Sequence, residues 1–252
     1  MSNKKERERR REEREQAEAA AGAGDRRKQL LQLAAGAVFL AVAVVLVLIV
    51  VNTSSSDGGD TELEGVAEVN QQLAGIPQRE MVLGDPKAPV ELVEFGDLQC
   101  PVCKGFSEEV LPPIIENQVK NGEVKLEFRN FTIIGEQSPP AGAAALAAGA
   151  QGRGWNYVEL FYKNQGAENS GYADDAFLES IAKGAGVKNL AKWNKDRTKF
   201  LAEVEETTAE APELGFNGTP SFAVKGPKSD GLEAIGTPSS TGALEEAIEE
   251  AS

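Results

Sequence analysis

The feature that most constrains this chain is a pair of cysteines three positions apart, between a predicted strand and a predicted helix. Cys100 and Cys103 are the only cysteines among its 252 residues. The preceding run, Pro89–Phe95, is β-branched and apolar and predicts a strand, and a helix is predicted from about residue 101 to 117. A helix N-terminus carries unpaired N–H groups and a partial positive charge, which favour a thiolate over a thiol. The pattern favours a redox-active dithiol.

Other roles for the pair stay open at this point. Half a zinc site needs two more soft or imidazole ligands, and the chain contains no histidine and no further cysteine. A purely structural disulfide would close a very short loop and would stabilise the fold little. Two unrelated buried thiols are the third alternative. We therefore expect no metal and no cofactor.

The missing histidine and the acidic composition exclude several classes of protein. Without histidine there is no Ser-His-Asp or Cys-His nucleophile. A net charge of −14 argues against a nucleic-acid binder, which normally presents a basic surface.

The order of the predicted elements indicates an α/β domain. The first predicted helix is open to a kink at Pro112-Pro113. After it, apolar and polar residues alternate over 123–134 as in a strand. Residues 137–213 are alanine-rich or helically periodic and predict three to five helices. Two short strands (Ser221–Lys225 and Leu232–Ile235) and a last helix, from about Ser240 to Glu250, complete the chain. The order is β-α-β, a helical block, then β-β-α.

A second motif is the segment Gly218-Thr219-Pro220 just before a predicted strand. A cis peptide bond before proline is usually a deliberate turn feature in a folded protein. An ordinary trans proline at the start of a strand is equally compatible with the sequence. The isomer of this bond stays open.

The first quarter of the chain predicts a membrane anchor. Leu30–Val51 is 22 residues without a charge, and about 20 apolar residues span the hydrocarbon core of a bilayer. A cleaved signal peptide would have a shorter apolar run and a small-residue cleavage site, and a buried core helix would rarely be so uniformly apolar. We expect one uncleaved transmembrane helix.

Charge flanking this span predicts its orientation. Arg26, Arg27 and Lys28 precede the span directly, whereas the first basic residue after it is Arg79. The positive-inside rule therefore leaves the N-terminus cytoplasmic. We expect a charged cytoplasmic tail over 1–29, the anchor over 30–51, a flexible linker over 52–75 and an extracytoplasmic domain over 76–252. The tail carries a net charge of +3 and the rest of the chain −17.

The motifs together resemble a known family. The stretches Leu83–Val90, Val93–Cys103 and Gly218–Phe222 are similar to the DsbA-like thiol-disulfide oxidoreductases, many of which are anchored in bacterial membranes. The resemblance implies a thioredoxin-like α/β fold with a helical insertion between the β-α-β and β-β-α halves, preceded here by one transmembrane helix. It implies an enzyme that introduces disulfides into exported proteins by dithiol–disulfide exchange.

The resemblance also implies residue roles. Cys100 would be the attacking thiolate and Cys103 the resolving thiol, with Pro101 and Val102 between them tuning the redox potential. Glu94 stands where the family often has a buried acid, although a partly exposed strand glutamate is an alternative. Where strong oxidants of the family have histidine between the cysteines, this chain has Val102, which predicts a milder oxidant.

Substrate contact and partners follow from the same resemblance. Thr219 and Pro220 would form the cis-proline loop that faces the sulfurs and binds substrate. The implied partners are reduced or unfolded exported proteins and a membrane redox partner such as a quinone-linked oxidase. The alternatives are a reductase or isomerase on the same fold, or a non-enzymatic peptide-binding module.

Overall fold

A six-stranded mixed sheet forms the centre of residues 63–252, the part of the chain that this computed structural model describes. Its strands are β1 (Gln78–Arg79), β2 (Val82–Leu83), β3 (Val90–Gly96), β4 (Val124–Asn130), β5 (Ser221–Lys225) and β6 (Glu233–Gly236). They are ordered β1-β2-β4-β3-β5-β6, with β3 parallel to β4 and the other neighbouring pairs antiparallel. Because β3 lies between two strands and is covered on both faces, six of its seven residues are buried, Glu94 among them.

Eight helices accompany the sheet within the described part of the chain. They are α1 (Val66–Gln72), α2 (residues 101–119), α3 (Ser138–Gly149), α4 (Gly154–Lys163), α5 (Asp175–Gly184), α6 (Leu190–Arg197), α7 (Leu201–Glu213) and α8 (Thr241–Ala251). From β3 onward the predicted order of elements is confirmed, whereas α1, β1 and β2 were not predicted. The block between β4 and β5 contains five helices, α3 to α7.

Helix α2 departs from regular α-helical geometry around its two prolines. It begins as Pro101–Gly105, and two π-helical segments, Phe106–Val110 and Ile115–Val119, flank the α-helical turn Leu111–Ile114. Pro112 and Pro113 lie in that turn and have no N–H to donate to the preceding turn, which interrupts the regular hydrogen bonding. The sequence had left open whether these prolines kink the helix.

The two faces of the sheet contribute to separate hydrophobic clusters. On one face, Leu92 and Phe128 belong to the large core that includes residues of α2, α3 and α4. On the other face, Val93 and Phe95 pack with Phe216 in a smaller cluster near the end of α7. Alternate residues of a strand point to opposite faces, so Glu94 points into the large core, together with Leu92.

Strand β4 is shorter than predicted, because it ends at Asn130 rather than near residue 134. The amide of Thr132 donates to the Thr208 hydroxyl at 3.1 Å. The amides of Ile133 and Ile134 donate to the Asp97 carboxylate at 2.8 and 2.9 Å. These donors therefore bond to side chains instead of continuing the ladder, a change that strand periodicity does not reveal.

The prediction of a flexible linker over 52–75 is wrong from residue 63 onward. Val69 and Leu73 on and after α1 are buried in the large core. Lys163 on α4 pairs with Glu68 at 3.0 Å. The apolar spacing of Val66, Val69 and Leu73 is that of one helix face, and it is this face that buries the segment.

The predictions for the tail, 1–29, for the anchor, Leu30–Val51, and for residues 52–62 lie outside the described residues. Within 63–252, no helix combines the length and the apolar character needed to cross a membrane.

Candidate active site

The two cysteines lie at the start of α2, as the sequence predicts. Cys100 is the residue that caps the helix N-terminus, Pro101 is the first helical residue, and Cys103 lies in the first turn. Both cysteines are free thiols and both are largely buried, with exposed fractions of 3% for Cys100 and 0% for Cys103. In its thiol form, Cys100 donates from Sγ to the carbonyl oxygen of Thr219 at 3.4 Å. One sulfur therefore lies close to the Thr219 loop, and the other is sealed beneath it.

The surroundings separate the acidities of the two thiols. A hydrogen bond from the Cys103 thiol is the largest influence that lowers the pKa of Cys100, to about 6 despite its burial. The side chain of Thr219 and the amides of Val102 and Cys103 lower it further. Burial, followed by the hydrogen bond to Cys100 and the charge of Glu94, raises the pKa of Cys103 well above its usual value. Cys100 is thus the thiolate at neutral pH and Cys103 the thiol.

The loop opposite the sulfurs contains the only cis peptide bond within residues 63–252, between Thr219 and Pro220. The sequence left its isomer open. Pro220 is buried and Thr219 half-buried. The Thr237 hydroxyl donates to the Pro220 carbonyl and the Ser221 hydroxyl to the Gly218 carbonyl, each at 2.7 Å. These bonds hold the loop against the strands that follow it.

Glu94 is fully buried on β3, so the alternative of a partly exposed strand glutamate is wrong. Neither of its carboxyl oxygens has a hydrogen-bond partner among the described residues. Burial raises its pKa well above the usual value, and the charges of Glu159 and Cys100 add to the effect. Burial therefore favours the uncharged acid form of Glu94, which interacts with both thiols.

Sequence reasoning missed a second buried acid, Glu159 on α4. It is 2% exposed, and its Oε2 accepts a hydrogen bond from the Ser107 hydroxyl at 2.8 Å. Burial raises its pKa to about 7, against the hydrogen bond from Ser107 and the charge of Lys163, which lower it. Glu159 stands within the nearly apolar helical run Trp155–Tyr162, and this position in the sequence could have indicated a buried acid.

Asp97 organises the turn that joins β3 to α2. Its buried carboxylate accepts hydrogen bonds from three backbone amides, those of Gln99, Ile133 and Ile134, at 2.8 to 2.9 Å. The Cys100 amide donates to the Asp97 carbonyl at 2.9 Å, and the Tyr162 hydroxyl donates to the same carbonyl at 3.3 Å. The backbone that presents Cys100 is therefore fixed from below by a residue that sequence reasoning did not select.

Two glutamine side chains extend this support to the helical block. The Gln165 side chain donates to the carbonyls of Leu98 and Cys100, at 2.7 and 3.1 Å. The Gln99 side chain donates to the Ser138 hydroxyl at 2.9 Å. The inserted helices thus hold the segment before the cysteines in place.

Pro101 and Val102, between the cysteines, face solvent, and Val102 is 52% exposed. The side chain of Val102 brings no charge to the sulfurs. No cluster of three or more His, Cys, Asp or Glu side chains suited to a metal ion occurs within residues 63–252. The chemistry that the site offers is that of a dithiol beside a buried acid.

Comparison with known proteins agrees with this chemistry. The family profile described as thioredoxin matches residues 77–250. The chain belongs to the thioredoxin family. A probable disulfide bond formation protein D of Bacillus cereus is 34% identical over 149 residues, which cover 57% of this chain and 69% of that protein.

Two solved structures share the fold. A thioredoxin-like oxidoreductase from Silicibacter pomeroyi DSS-3 has a TM-score of 0.55 and 28% identity, over 72% of this chain and 96% of that chain. Oxidised BdbD from Bacillus subtilis has a TM-score of 0.60 and 24% identity, over 69% and 96%. The expected thioredoxin-like α/β fold is confirmed, and the chain is a DsbA-like thiol-disulfide oxidoreductase.

Proposed function

We propose that this protein introduces disulfides into exported proteins by dithiol–disulfide exchange. The observation that carries the proposal is the difference in acidity between the two thiols. The pKa of Cys100 is lowered to about 6, whereas burial keeps Cys103 protonated. A stable Cys100 thiolate stabilises the reduced state, and a stabilised reduced state makes the disulfide form an oxidant.

The reaction starts from the Cys100–Cys103 disulfide. A substrate thiolate attacks the Cys100 Sγ, a new substrate–Cys100 bond forms, and the electron pair of the old bond leaves on the Cys103 Sγ. A second substrate thiolate then attacks the substrate sulfur of the mixed disulfide and releases the Cys100 thiolate. The substrate loses two electrons and the protein gains them. Thr219 and Pro220, opposite Cys100, line the position where the substrate chain binds.

Glu94 supplies the proton that this exchange needs. The Cys103 thiolate forms in a buried site that disfavours its charge, and Glu94, whose burial favours the protonated form, is a suitable proton donor. In the reverse direction, the Glu94 carboxylate accepts the Cys103 proton so that the disulfide can reform.

The residues between the cysteines place the redox potential below the oxidising extreme of the family. Val102 contributes its backbone amide but no charge to the Cys100 thiolate. Characterised proteins of this class range from about −120 mV, with a cysteine pKa of about 3.5, to about −270 mV, with a pKa of about 7. A pKa of about 6 for Cys100 lies between these two limits.

The setting of the reaction is the outer face of a cell membrane. Leu30–Val51 anchors the chain with the N-terminus in the cytoplasm, and the catalytic domain meets exported proteins outside. Reoxidation of Cys100 and Cys103 requires an electron acceptor, and a membrane redox partner such as a quinone-linked oxidase has the required chemistry.

A reductase or isomerase on the same fold is the second candidate, because Val102 leaves the potential milder than that of a strong oxidant. The third alternative, a non-enzymatic peptide-binding module, does not agree with the similarity to disulfide bond formation proteins. The redox state in cells separates the first two. An oxidase is found mostly as the disulfide and a reductase mostly as the dithiol.

Trapping of substrates tests the proposed function. Cys103→Ala removes the resolving thiol, so mixed disulfides through Cys100 should accumulate with exported proteins and run as complexes under non-reducing electrophoresis. The matched control carries Cys100→Ser in addition and should trap none. Absence of trapped partners from the single variant would count decisively against disulfide exchange.

A further inference from the structure

The side chain of Glu94 is not exposed to solvent. It is fully buried, and no cavity described for residues 63–252 includes it in its lining. The titratable groups that interact with it are the two thiols, Tyr162 and Glu159. The Tyr162 hydroxyl is committed to the Asp97 carbonyl, and its pKa is raised well above the usual value. The remaining groups that interact with Glu94 and can take up a proton are therefore the two thiols and Glu159.

The route through the two thiols closes during the reaction. Cys100 is only 3% exposed in the free protein, and a substrate joined to its sulfur covers it and removes its titratable proton. Glu94 must change its protonation state while this mixed disulfide exists. The route through Glu159 is the one that remains.

Glu159 interacts electrostatically with Glu94 and also lines a surface cleft. Glu159 lines a cleft of about 480 Å³ between α1, α2 and α4. Its Oε2 accepts the Ser107 hydroxyl at 2.8 Å, and its Oε1 is buried with no partner among the described residues. Ser107 lies one helical turn after Cys103 on α2.

Charged side chains of both signs surround this acid. On its own helix lies Lys163, which pairs with Glu68 of α1 at 3.0 Å. Helix α2 presents Glu108 to it, and strand β3 presents Glu94. Lys163 favours the ionised form of Glu159, whereas Glu108 and burial disfavour it, so the group titrates near neutral pH.

We propose that Glu159 is a positioning residue that passes protons between Glu94 and the water of this cleft while the active-site face is covered by substrate. This inference rests on the proposed function. When the Cys103 thiolate takes the Glu94 proton, Glu94 becomes a carboxylate. Glu159 gives its proton to Glu94 and regains one from water, so one proton enters for each Cys103 thiol formed. Closure of the disulfide runs the same path in reverse.

The test follows closure of a glutathione–Cys100 mixed disulfide to the Cys100–Cys103 disulfide in the full chain, by rapid acid quench across pH. In the wild type we expect the rate to rise through an inflection near pH 7. Glu159→Gln should remove the inflection and slow closure about tenfold, less than the roughly 10²–10⁴-fold that direct general acid–base catalysis contributes. Glu159→Asp keeps a carboxyl group and should restore the inflection.

Two further variants separate a relay from a structural role. Ser107→Ala removes a hydrogen bond that lowers the pKa of Glu159, so the inflection should move to higher pH. Glu116→Gln removes a carboxylate from the same cleft and should leave the rate and the inflection unchanged. A wild-type inflection that survives in Glu159→Gln, or a rate in that variant equal to or faster than wild type, overturns the relay. A wild type that never closes its mixed disulfide overturns the proposed function instead.

Discussion

The acidity of Cys100 depends most on its partner cysteine, and replacing Cys103 measures that dependence. The hydrogen bond from Cys103 is the largest influence that lowers the pKa of Cys100 to about 6. A hydrogen bond to a charged group contributes about 1.5–3 kcal/mol, and one pKa unit corresponds to about 1.4 kcal/mol. Cys103→Ala should therefore raise the pKa of Cys100 from about 6 to roughly 7–8.

The rate of alkylation by iodoacetamide, followed across pH, reports this pKa directly, because Cys100 is then the only cysteine in the chain. Cys103→Ser is the matched control, since its hydroxyl still donates a hydrogen bond and should keep the pKa closer to the wild-type value. A pKa that stays near 6 in Cys103→Ala would refute the reasoning. It would assign the acidity to the Thr219 side chain and the backbone amides at the helix start.

Three further predictions concern the neighbourhood of the dithiol. Val102→His places a cation beside the Cys100 thiolate and should lower the pKa of Cys100. The reduction potential, measured against glutathione, should become less negative by about 30 mV for each unit by which this pKa falls. An unchanged potential would contradict the prediction. Folding raises the pKa of Glu159 from 4.5 to about 7, so the folded state favours its protonated form. The free energy of unfolding should therefore decrease by about 3 kcal/mol between pH 4.5 and pH 7 because of this group. Urea unfolding of Glu159→Gln should lack this decrease. Asp97→Ala leaves three backbone amides without their acceptor and should cost at least about 3 kcal/mol in urea unfolding, with a smaller loss for Asp97→Asn.

The elements that carry the cysteines were predictable because their signals are local. A β-branched run that ends at Gly96, followed by Cys100 and Pro101, is enough to place the pair at a strand-to-helix junction. The burial of Glu94 follows from strand alternation once its face is known to be the core face. The resemblance to the family added the roles of Thr219 and Pro220, which no local pattern supplies.

The support of the site was not predictable, because it depends on contacts between distant segments. Ser107 and Glu159 are 52 positions apart and meet only when α2 and α4 pack. The Asp97 carboxylate reaches Ile133 across 36 positions, and this contact also ends β4 early. Helix α1 was taken for linker because the polar start of its segment obscured the apolar spacing from Val66 to Leu73.

The reduction potential of the Cys100–Cys103 pair tests the central claim most directly. The full chain is equilibrated with defined ratios of reduced and oxidised glutathione, and the fraction of free thiol is measured after acid quench and alkylation. The account predicts a disulfide that forms reversibly, with a potential between about −120 and −270 mV. A potential at or below about −270 mV, or no Cys100–Cys103 disulfide at any glutathione ratio, would contradict a role in forming disulfides.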